Sequence, residues 1–343
     1  MNVDDVIMGK MADDLEISRD NTIFVLIAGT TEVSLRQGIT AAGSSPESTR
    51  ITPTVDSEII GEGRCLSMDE PPMTPEGIPT PAIVSRAILS LTGLRHMIVN
   101  GGFSVRPKTI FLETYLDPSR DPGIERSIAD PEKVMDAGRR IGRMIDGNYR
   151  NIIIGESFPG GTTTAYIVLK AMGIDSGTSS TMPTDPDELK RNVAEESFRR
   201  RFVRSPLEAA TEYGDNLMLF MVGMAEAVRR SSMILAGGTQ MANVANLIRH
   251  VNGRTDPVLA TTQWVFSHRS DLFRILSLED RSIVSVMDFS RMKNAGLRFY
   301  NQGHVREGVG MGALYAYARI VGFSRAEIES SIDEFYSSFL NIG

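Results

Sequence analysis

Short runs of apolar residues that end at glycine or threonine recur along the chain. The clearest run covers residues 22–28 and stops at Gly29. Apolar runs of roughly 4 to 8 residues between turn residues are typical of buried strands. By the same pattern we predict further strands at residues 151–155, 232–237, 257–262 and 282–286.

Helical spacing of apolar residues follows at least two of these predicted strands. It begins after Gly161 and again after Gly238, in both cases just beyond a glycine-rich turn. Strands that alternate with helices predict a parallel sheet with helices on both faces, which is a three-layer, Rossmann-like α/β fold. Because ligands of such folds bind beyond the carboxyl ends of the strands, we expect the chemistry of this protein in these turns.

The remaining segments indicate how the chain is divided. Residues 64–81 are rich in proline, glycine and acidic residues, which predicts an extended surface loop. A helix is predicted at residues 131–144, with a proline in its first turn. We expect a single unit with a larger α/β part over residues 82–320 and a smaller helical part formed by residues 1–81 and 321–343.

Composition and charge narrow the class of protein. With 36 Lys and Arg against 43 Asp and Glu, the formal net charge is −7, which disfavours sequence-independent binding to nucleic acid. The basic run that ends at Arg204 is more typical of a solvated helix face. Cys65 is the only cysteine, so neither an intrachain disulfide nor a cysteine-based zinc cluster is expected. No signal peptide or membrane-spanning run is visible, so we expect a soluble cytoplasmic protein without membrane contacts.

The strongest candidate for a ligand site is the turn after the predicted strand at residues 151–155. Gly160 and Gly161 precede Thr162, Thr163 and Thr164, which open the next predicted helix. Glycines let the backbone approach an anion, free amides at a helix N-terminus attract phosphate, and threonine hydroxyls add donors. No Gly-Lys-Ser/Thr ending is present, so this is not a triphosphate loop of the Walker type. A plain strand-turn-helix with a threonine cap fits the same residues equally well.

Two further segments place small polar residues before a helix. Gly177 and Thr178 precede a predicted helix that contains Lys190, although a flexible loop with a solvated lysine is the simpler interpretation. Gly237 and Gly238 lie between a predicted strand and a predicted helix. Both segments fall where a parallel sheet would place a ligand site.

A glutamate among glycines is the candidate for acid–base chemistry. Glu307 is followed by Gly308 and Gly310, just before a predicted helix at residues 314–321. The glycines permit close approach of a substrate to the carboxylate. A charge placed near the positive end of the helix dipole explains the same pattern equally well.

Taken in order, these segments resemble the nicotinate-nucleotide–dimethylbenzimidazole phosphoribosyltransferase family, and more closely its divergent archaeal-type branch. Residues 155–163 have the length of the family's Gly-Glu-Met-Gly-Ile-Gly-Asn-Thr-Thr segment and share its Gly-Glu start and its Gly-x-Thr-Thr end. Residues 237–241 resemble the family's Gly-Gly turn, and residues 307–310 resemble its C-terminal Glu-Gly-Thr-Gly. Residues 38–43 and 52–58 resemble the archaeal-type branch.

The resemblance implies transfer of phosphoribose from nicotinate mononucleotide to a benzimidazole-type base, which gives α-ribazole phosphate and nicotinate for the lower ligand of cobamides. It implies Glu307 as the general base, residues 162–164 as the anchor of the 5′-phosphate, and Glu156 and Lys190 as contacts to ribose and phosphate. The other substrate-binding residues that it implies are Gly160, Gly161, Gly177, Thr178, Gly237, Gly238, Gly308 and Gly310. It further implies a homodimer that uses no metal or other cofactor.

Departures from the family pattern bear on the substrate and on activity. Val309 stands where the family has a threonine near the general base, and Phe158 and Pro159 stiffen the phosphate turn. The bacterial base-pocket segment is not recognisable, so another azole or a purine stays open as the acceptor. A non-catalytic nucleotide-binding or regulatory protein on the same fold is the alternative. A dinucleotide-dependent oxidoreductase is disfavoured, because no G-x-G-x-x-G follows the strand at residues 22–28.

Overall fold

One seven-stranded sheet organises the chain, as seen in a computed structural model that describes residues 3–69, 72–74, 76–180, 182 and 184–340. The strands are β1 (Val6–Met8), β2 (Thr22–Ala28), β3 (His96–Asn100), β4 (Asn151–Ser157), β5 (Ser232–Ala236), β6 (Val258–Thr262) and β7 (Ser282–Ser285). Their order is β1-β7-β6-β5-β4-β2-β3, and all neighbours are parallel except β1 and β7. All five predicted strands are confirmed. The short strands β1 and β3 were not predicted.

Helices cover both faces of this sheet. They are α1 (Pro46–Glu62), α2 (Ala82–Thr92), α3 (Pro131–Ile145), α4 (Gly161–Ala171), α5 (Asp187–Arg200), α6 (Pro206–Tyr213), α7 (Asn216–Ala227), α8 (Thr239–Val251), α9 (Gln263–His268), α10 (Ser270–Ile275), α11 (Ala295–Arg298), α12 (Met311–Ile320) and α13 (Arg325–Leu340). Short 3-10 turns lie at Glu32–Leu35, Glu279–Arg281 and Phe299–Gln302. Among the described residues, no helix combines the length and apolar character needed to cross a membrane.

The apolar residues form two cores, one on each face of the sheet. Alternate side chains of β2 point in opposite directions, so Val25 belongs to one core and Leu26 to the other. The first core joins the sheet to α3, α4, α7 and α8, and the second joins it to α1, α2, α12 and α13. This arrangement confirms the predicted three-layer α/β fold.

Helix α1 was not predicted, because its buried face is largely polar and it contains Pro53. Its start is nevertheless well specified. The Ser45 side chain accepts a hydrogen bond from the Ser48 amide while the Ser48 side chain accepts one from the Ser45 amide, and Pro46 follows the cap. The helix matters because it carries Asp56 into the interior beside the end of β4.

The segment at residues 64–81 forms no helix or strand over its described part, as predicted, but it is not a surface loop throughout. Ile78 and Thr80 are buried, and the Thr80 hydroxyl donates to the Asp56 carboxylate at 2.7 Å. The loop therefore folds inward over α1. Residues 70, 71 and 75 lie outside the described residues.

The predicted division into a larger and a smaller part stays a proposal. Helix α13 of the C-terminal segment packs against α2, which belongs to the predicted larger part. Strand β2, however, belongs to the first 81 residues and lies between β4 and β3 inside the sheet. The sheet is therefore not confined to residues 82–320.

Candidate functional site

The carboxyl ends of β2 and β4 mark the point at which the strand order reverses. From β2 the chain continues to β3 on one side and then returns to β4 on the other side of β2. Ligands of open α/β sheets bind in the crevice at such a point. A cleft of about 950 Å³, partly open to solvent, is lined by the turns beyond β4 and β5, by α1 and by the loop before α2.

Half of the residues that were predicted to act on substrate line this cleft. They are Glu156, Gly160, Gly161, Thr162, Gly238, Glu307 and Gly308. The fold thus brings together three segments that are far apart in the sequence: the turn after β4, the turn after β5 and the segment before α12.

The other half lies outside the cleft lining, so direct contact with a substrate is not supported for them. These residues are Thr163, Thr164, Gly177, Thr178, Lys190, Gly237 and Gly310. The first two threonines are fully buried in α4. The Thr164 hydroxyl donates to Asp215 Oδ2 at 2.6 Å, and the Thr163 hydroxyl has no partner among the described residues.

Lys190 lies behind the cleft wall rather than in its lining. Its side chain is fully buried, and its ammonium group donates to the carbonyl and hydroxyl oxygens of Thr178 at 2.9 and 3.0 Å. Burial lowers the pKa of Lys190 to about 8. The lysine therefore holds residues 178–180 from behind, and it is Ser179 and Ser180 that reach the cleft. Sequence spacing placed the lysine near this loop but not on the side from which it packs.

The two glycines of the turn before α4 are required by close packing. Gly160 has a φ of 80° and precedes α4, and a side chain there would lie 2.8 Å from Thr31 Oγ1. At Gly161 an added Cβ would lie 2.1 Å from Gln240 Oε1. The turn from Glu156 to Thr162 lines the cleft, and its two glycines carry no side chain that would hold an anion away from the backbone.

The segment before α12 contains Val309, which has an unusual backbone conformation and hydrogen bonds at both its amide and its carbonyl. Val309 has a φ of 52°, a left-handed conformation that is strained for a β-branched residue. Its amide donates to the Glu156 carbonyl at 3.0 Å and its carbonyl accepts from the Ser85 hydroxyl at 2.9 Å. Glu156 lies at the end of β4, and Glu307 lies two residues before Val309. The hydrogen bond from the Val309 amide therefore holds the Glu307 segment next to the end of β4.

Glu307 has the environment of an acid–base group. Its Oε1 accepts hydrogen bonds from the amides of Gly308 and Gly312 at 3.1 and 3.2 Å. Its Oε2 is inaccessible to solvent and has no partner among the described residues. Burial, helped by repulsion from Glu156, raises the pKa of Glu307 to about 8 against the opposing effect of the amides.

Glu156 is likewise a buried carboxyl group with a raised pKa. Its Oε2 accepts from the Phe158 amide at 2.9 Å. Burial raises the pKa of Glu156 to about 8, and the charges of Asp215 and Asp56 add to the effect. Burial therefore favours proton-bearing glutamates near neutral pH. No three of the described His, Cys, Asp and Glu side chains are grouped so that they could hold a metal ion.

Three cleft residues that were not predicted as site residues form one polar corner. Asp56 accepts a hydrogen bond from Thr80 at its Oδ1 and from Ser157 at its Oδ2, both at 2.7 Å. Burial raises the pKa of Asp56 to about 6, although the two hydroxyls oppose that shift. We call Asp56, Thr80 and Ser157 the Asp56 corner. The sequence signal was the resemblance of residues 52–58 to the archaeal-type branch, which gave no role for the aspartate.

Arg306 was also missed, and it is the only cation among the described residues that line the cleft. Its guanidinium donates to the carbonyls of Ser180 and Met182 at 3.0 Å and lies 3.4 Å from Asp185 Oδ1. Asp185 also pairs with Arg269 at 2.7 Å. The arginine therefore places positive charge beside the Ser180 end of the cleft.

Sequence relatives establish the family, although no family model matches the chain. The UPF0284 protein Ta0078 of Thermoplasma acidophilum is 78% identical over 340 residues, which cover 99% of this chain and 100% of that relative. UPF0284 protein TV0153 of Thermoplasma volcanium is 55% identical over 98% of this chain and all of the relative. A UPF0284 protein of Archaeoglobus fulgidus is 36% identical over 95% of this chain and 96% of the relative. The chain belongs to the UPF0284 family.

Solved structures share the fold at low sequence identity. CobT from Thermus thermophilus aligns with a TM-score of 0.60 and 16% identity over 92% of this chain and 84% of that chain. A nicotinate-nucleotide-dimethylbenzimidazole phosphoribosyltransferase from the same organism aligns with a TM-score of 0.53 and 16% identity over 92% and 86%. The resemblance inferred from the sequence motifs is confirmed at the level of the fold.

Proposed function

We propose that the cleft transfers phosphoribose from nicotinate mononucleotide to a ring nitrogen of a benzimidazole-type base, giving α-ribazole phosphate and nicotinate in cobamide lower-ligand assembly. The observation that carries the proposal is the Glu307 carboxyl group. It combines a raised pKa with a place in the same cleft as a glycine turn suited to phosphate. The names of the two solved structures of this fold support the same class of reaction.

The nucleotide would be oriented with its phosphate at the Gly160–Gly161 turn. Backbone at the start of α4 and the Thr162 hydroxyl supply donors there, and Arg306 adds positive charge to the same cleft. In this arrangement Arg306 takes the role that the sequence assigned to Lys190. Holding the phosphate fixes the ribose, so that C1′ is positioned for attack by the second substrate.

The chemistry then requires one proton acceptor. The bond between C1′ and the nicotinate nitrogen breaks, and its electron pair leaves with nicotinate. The lone pair of the azole nitrogen forms the new bond to C1′, and the azole N–H proton moves to the Glu307 carboxylate. The nicotinate ring of the bound nucleotide is cationic, which favours the charged form of nearby glutamates. Binding of this substrate would therefore prepare Glu307 to act as the base.

The proposal is tested by incubating purified protein with nicotinate mononucleotide and a panel of azoles and purines, with nicotinate release measured by chromatography. Release that depends on one added base is expected. Omission of the base controls for hydrolysis, and Glu307→Gln controls for contaminating enzymes. Tight nucleotide binding without base-dependent release would instead favour a non-catalytic nucleotide-binding protein.

We also propose the homodimer that the family resemblance implies. Sedimentation equilibrium on the purified chain would measure its mass directly. A monomer at all concentrations would contradict this part of the proposal.

A further inference from the structure

The Asp56 corner is buried but opens into the cleft. Asp56, Ser157 and Thr80 are at most 7% exposed, yet all three line the cleft wall. Neither the proton transfer to Glu307 nor the phosphate site described above uses them. Polar groups that are buried at the edge of a ligand cavity are kept there at a cost in desolvation, which is offset when a ligand pairs with them.

The side chains of this corner can accept further hydrogen bonds but cannot donate any. Both hydroxyl hydrogens of Thr80 and Ser157 point to Asp56, so these hydroxyls have only lone pairs left for a ligand. Each carboxylate oxygen of Asp56 can accept a second hydrogen bond. Thr52, another cleft residue, has its hydroxyl donated to the Ser48 carbonyl at 2.9 Å. The side chains of this wall therefore offer acceptors, and their described hydroxyls are already committed as donors.

The corner adjoins the proposed base. Thr80 binds Asp56, and the next residue, Pro81, lies against Gly308, where an added Cβ would come within 2.9 Å of the proline ring. Consecutive Cα atoms are about 3.8 Å apart. The adjacent residues Thr80 and Pro81 therefore connect the Asp56 corner to the Glu307 segment. A ring held with its N–H at Glu307 would present its far edge to a wall that also includes the apolar residues Ile78 and Val309.

From this geometry we propose that Asp56 selects an acceptor base that carries a hydrogen-bond donor, such as an amino or hydroxyl group, on the edge away from the reacting nitrogen. This inference depends on the proposed function and narrows its substrate class. An amine hydrogen would bond to the Asp56 carboxylate, whereas a methyl group in the same place would leave a buried charge facing carbon.

The matched probes are 5-aminobenzimidazole and 5-methylbenzimidazole, which differ by an amino and a methyl group of similar size. A hydrogen bond to a charged group corresponds to roughly 10- to 100-fold, so we expect kcat/KM for the amino base to exceed that for the methyl base by about this factor. Asp56→Asn should reduce the ratio to near one, with the KM for nicotinate mononucleotide unchanged. Asp136→Asn, on the outer part of α3 and paired with Arg140, should keep the wild-type ratio.

Several results would overturn the proposed role of Asp56. A wild-type ratio near one, or a ratio that survives Asp56→Asn, overturns the inference. A weaker affinity for nicotinate mononucleotide in Asp56→Asn with an unchanged ratio would show that Asp56 binds ribose hydroxyls instead, which also overturns it.

Two further measurements cover failure of the variant or of the reaction. If Asp56→Asn loses its fold, Ser157→Ala keeps the carboxylate and frees one of its lone pairs, so the amino preference should persist or grow; a fall to one contradicts the inference. If no base releases nicotinate, the proposed reaction fails, but calorimetric titration of the two bases still measures the preference. Equal affinities would then overturn the role of Asp56 as well.

Discussion

Raising the pH from 7 to 9 should increase kcat/KM for phosphoribosyl transfer by about tenfold. The reason lies in the burial of Glu307, which raises its pKa to about 8. A base with that pKa is about one-tenth deprotonated at pH 7 and about nine-tenths deprotonated at pH 9, and kcat/KM follows the ionisation of the free enzyme. An exposed glutamate, with a pKa of about 4.3, would give a flat profile over the same range.

The neighbouring glutamate shapes the profile. Burial also raises the pKa of Glu156 to about 8, and the charge of Glu156 helps to raise the pKa of Glu307. The pair should therefore titrate over a wider range than a single group. Glu156→Gln removes one charge, so it should lower the apparent pKa of the remaining base and shift the rise in kcat/KM towards lower pH.

The assay is the initial rate of nicotinate release with both nicotinate mononucleotide and base subsaturating, so that the free enzyme is observed. It is measured between about pH 6 and 9.5 at constant ionic strength, a range that brackets the expected ionisation. Glu307→Gln should lower kcat/KM by about 100- to 10,000-fold and remove the rise with pH, while nucleotide binding is kept. A flat wild-type profile, or a profile in Glu307→Gln with the same shape and height as wild type, would refute the assignment of Glu307 as the base.

Three further predictions concern the residues around the cleft. Thr162→Val should weaken nicotinate mononucleotide binding by about tenfold. Thr163→Val should leave that affinity unchanged and keep or raise the melting temperature, because the substitution removes a buried hydroxyl without a partner among the described residues. Calorimetry and thermal unfolding test the two variants, and equal losses of affinity would contradict the assigned orientations. Gly161→Ala should destabilise the fold by about 1–3 kcal/mol in urea unfolding, because the new Cβ meets the Gln240 amide that is bonded to Asp215; an unchanged midpoint would contradict this packing. Lys190→Met should lower the free energy of unfolding by about 1–3 kcal/mol, because the hydrogen bonds to Thr178 are lost. The variant should still bind the nucleotide with a measurable affinity. Loss of affinity without loss of stability would restore a direct role for Lys190.

The parts of the fold with strong local signals were predictable from the sequence. Strands such as β2 and β4 are continuous apolar runs because parallel strands are buried on both faces. The glycine turn after β4 and the glutamate before α12 were also found, since both combine glycine with polar residues at strand-helix junctions. These signals depend only on neighbouring residues.

The side of the cleft formed by α1 was not predictable in the same way. The buried face of this helix carries Thr52, Asp56 and Glu58, so hydrophobic periodicity gives no helical signal there. The role of Asp56 depends on Ser157, which lies 101 residues away in the chain. Similarly, the spacing between Thr178 and Lys190 indicated proximity, but only the packing of α5 shows that the lysine is buried behind the loop. Long-range packing decided both cases.

The central claim is tested most directly by the product of a complete reaction with nicotinate mononucleotide and an accepted azole. We expect one equivalent of nicotinate for each equivalent of a new nucleotide. In this nucleotide C1′ of the ribose is bonded to the azole nitrogen, as mass spectrometry and NMR would identify. Neither product should accumulate with Glu307→Gln. Recovery of intact nicotinate mononucleotide with every base, from protein that demonstrably binds the nucleotide, would contradict the account.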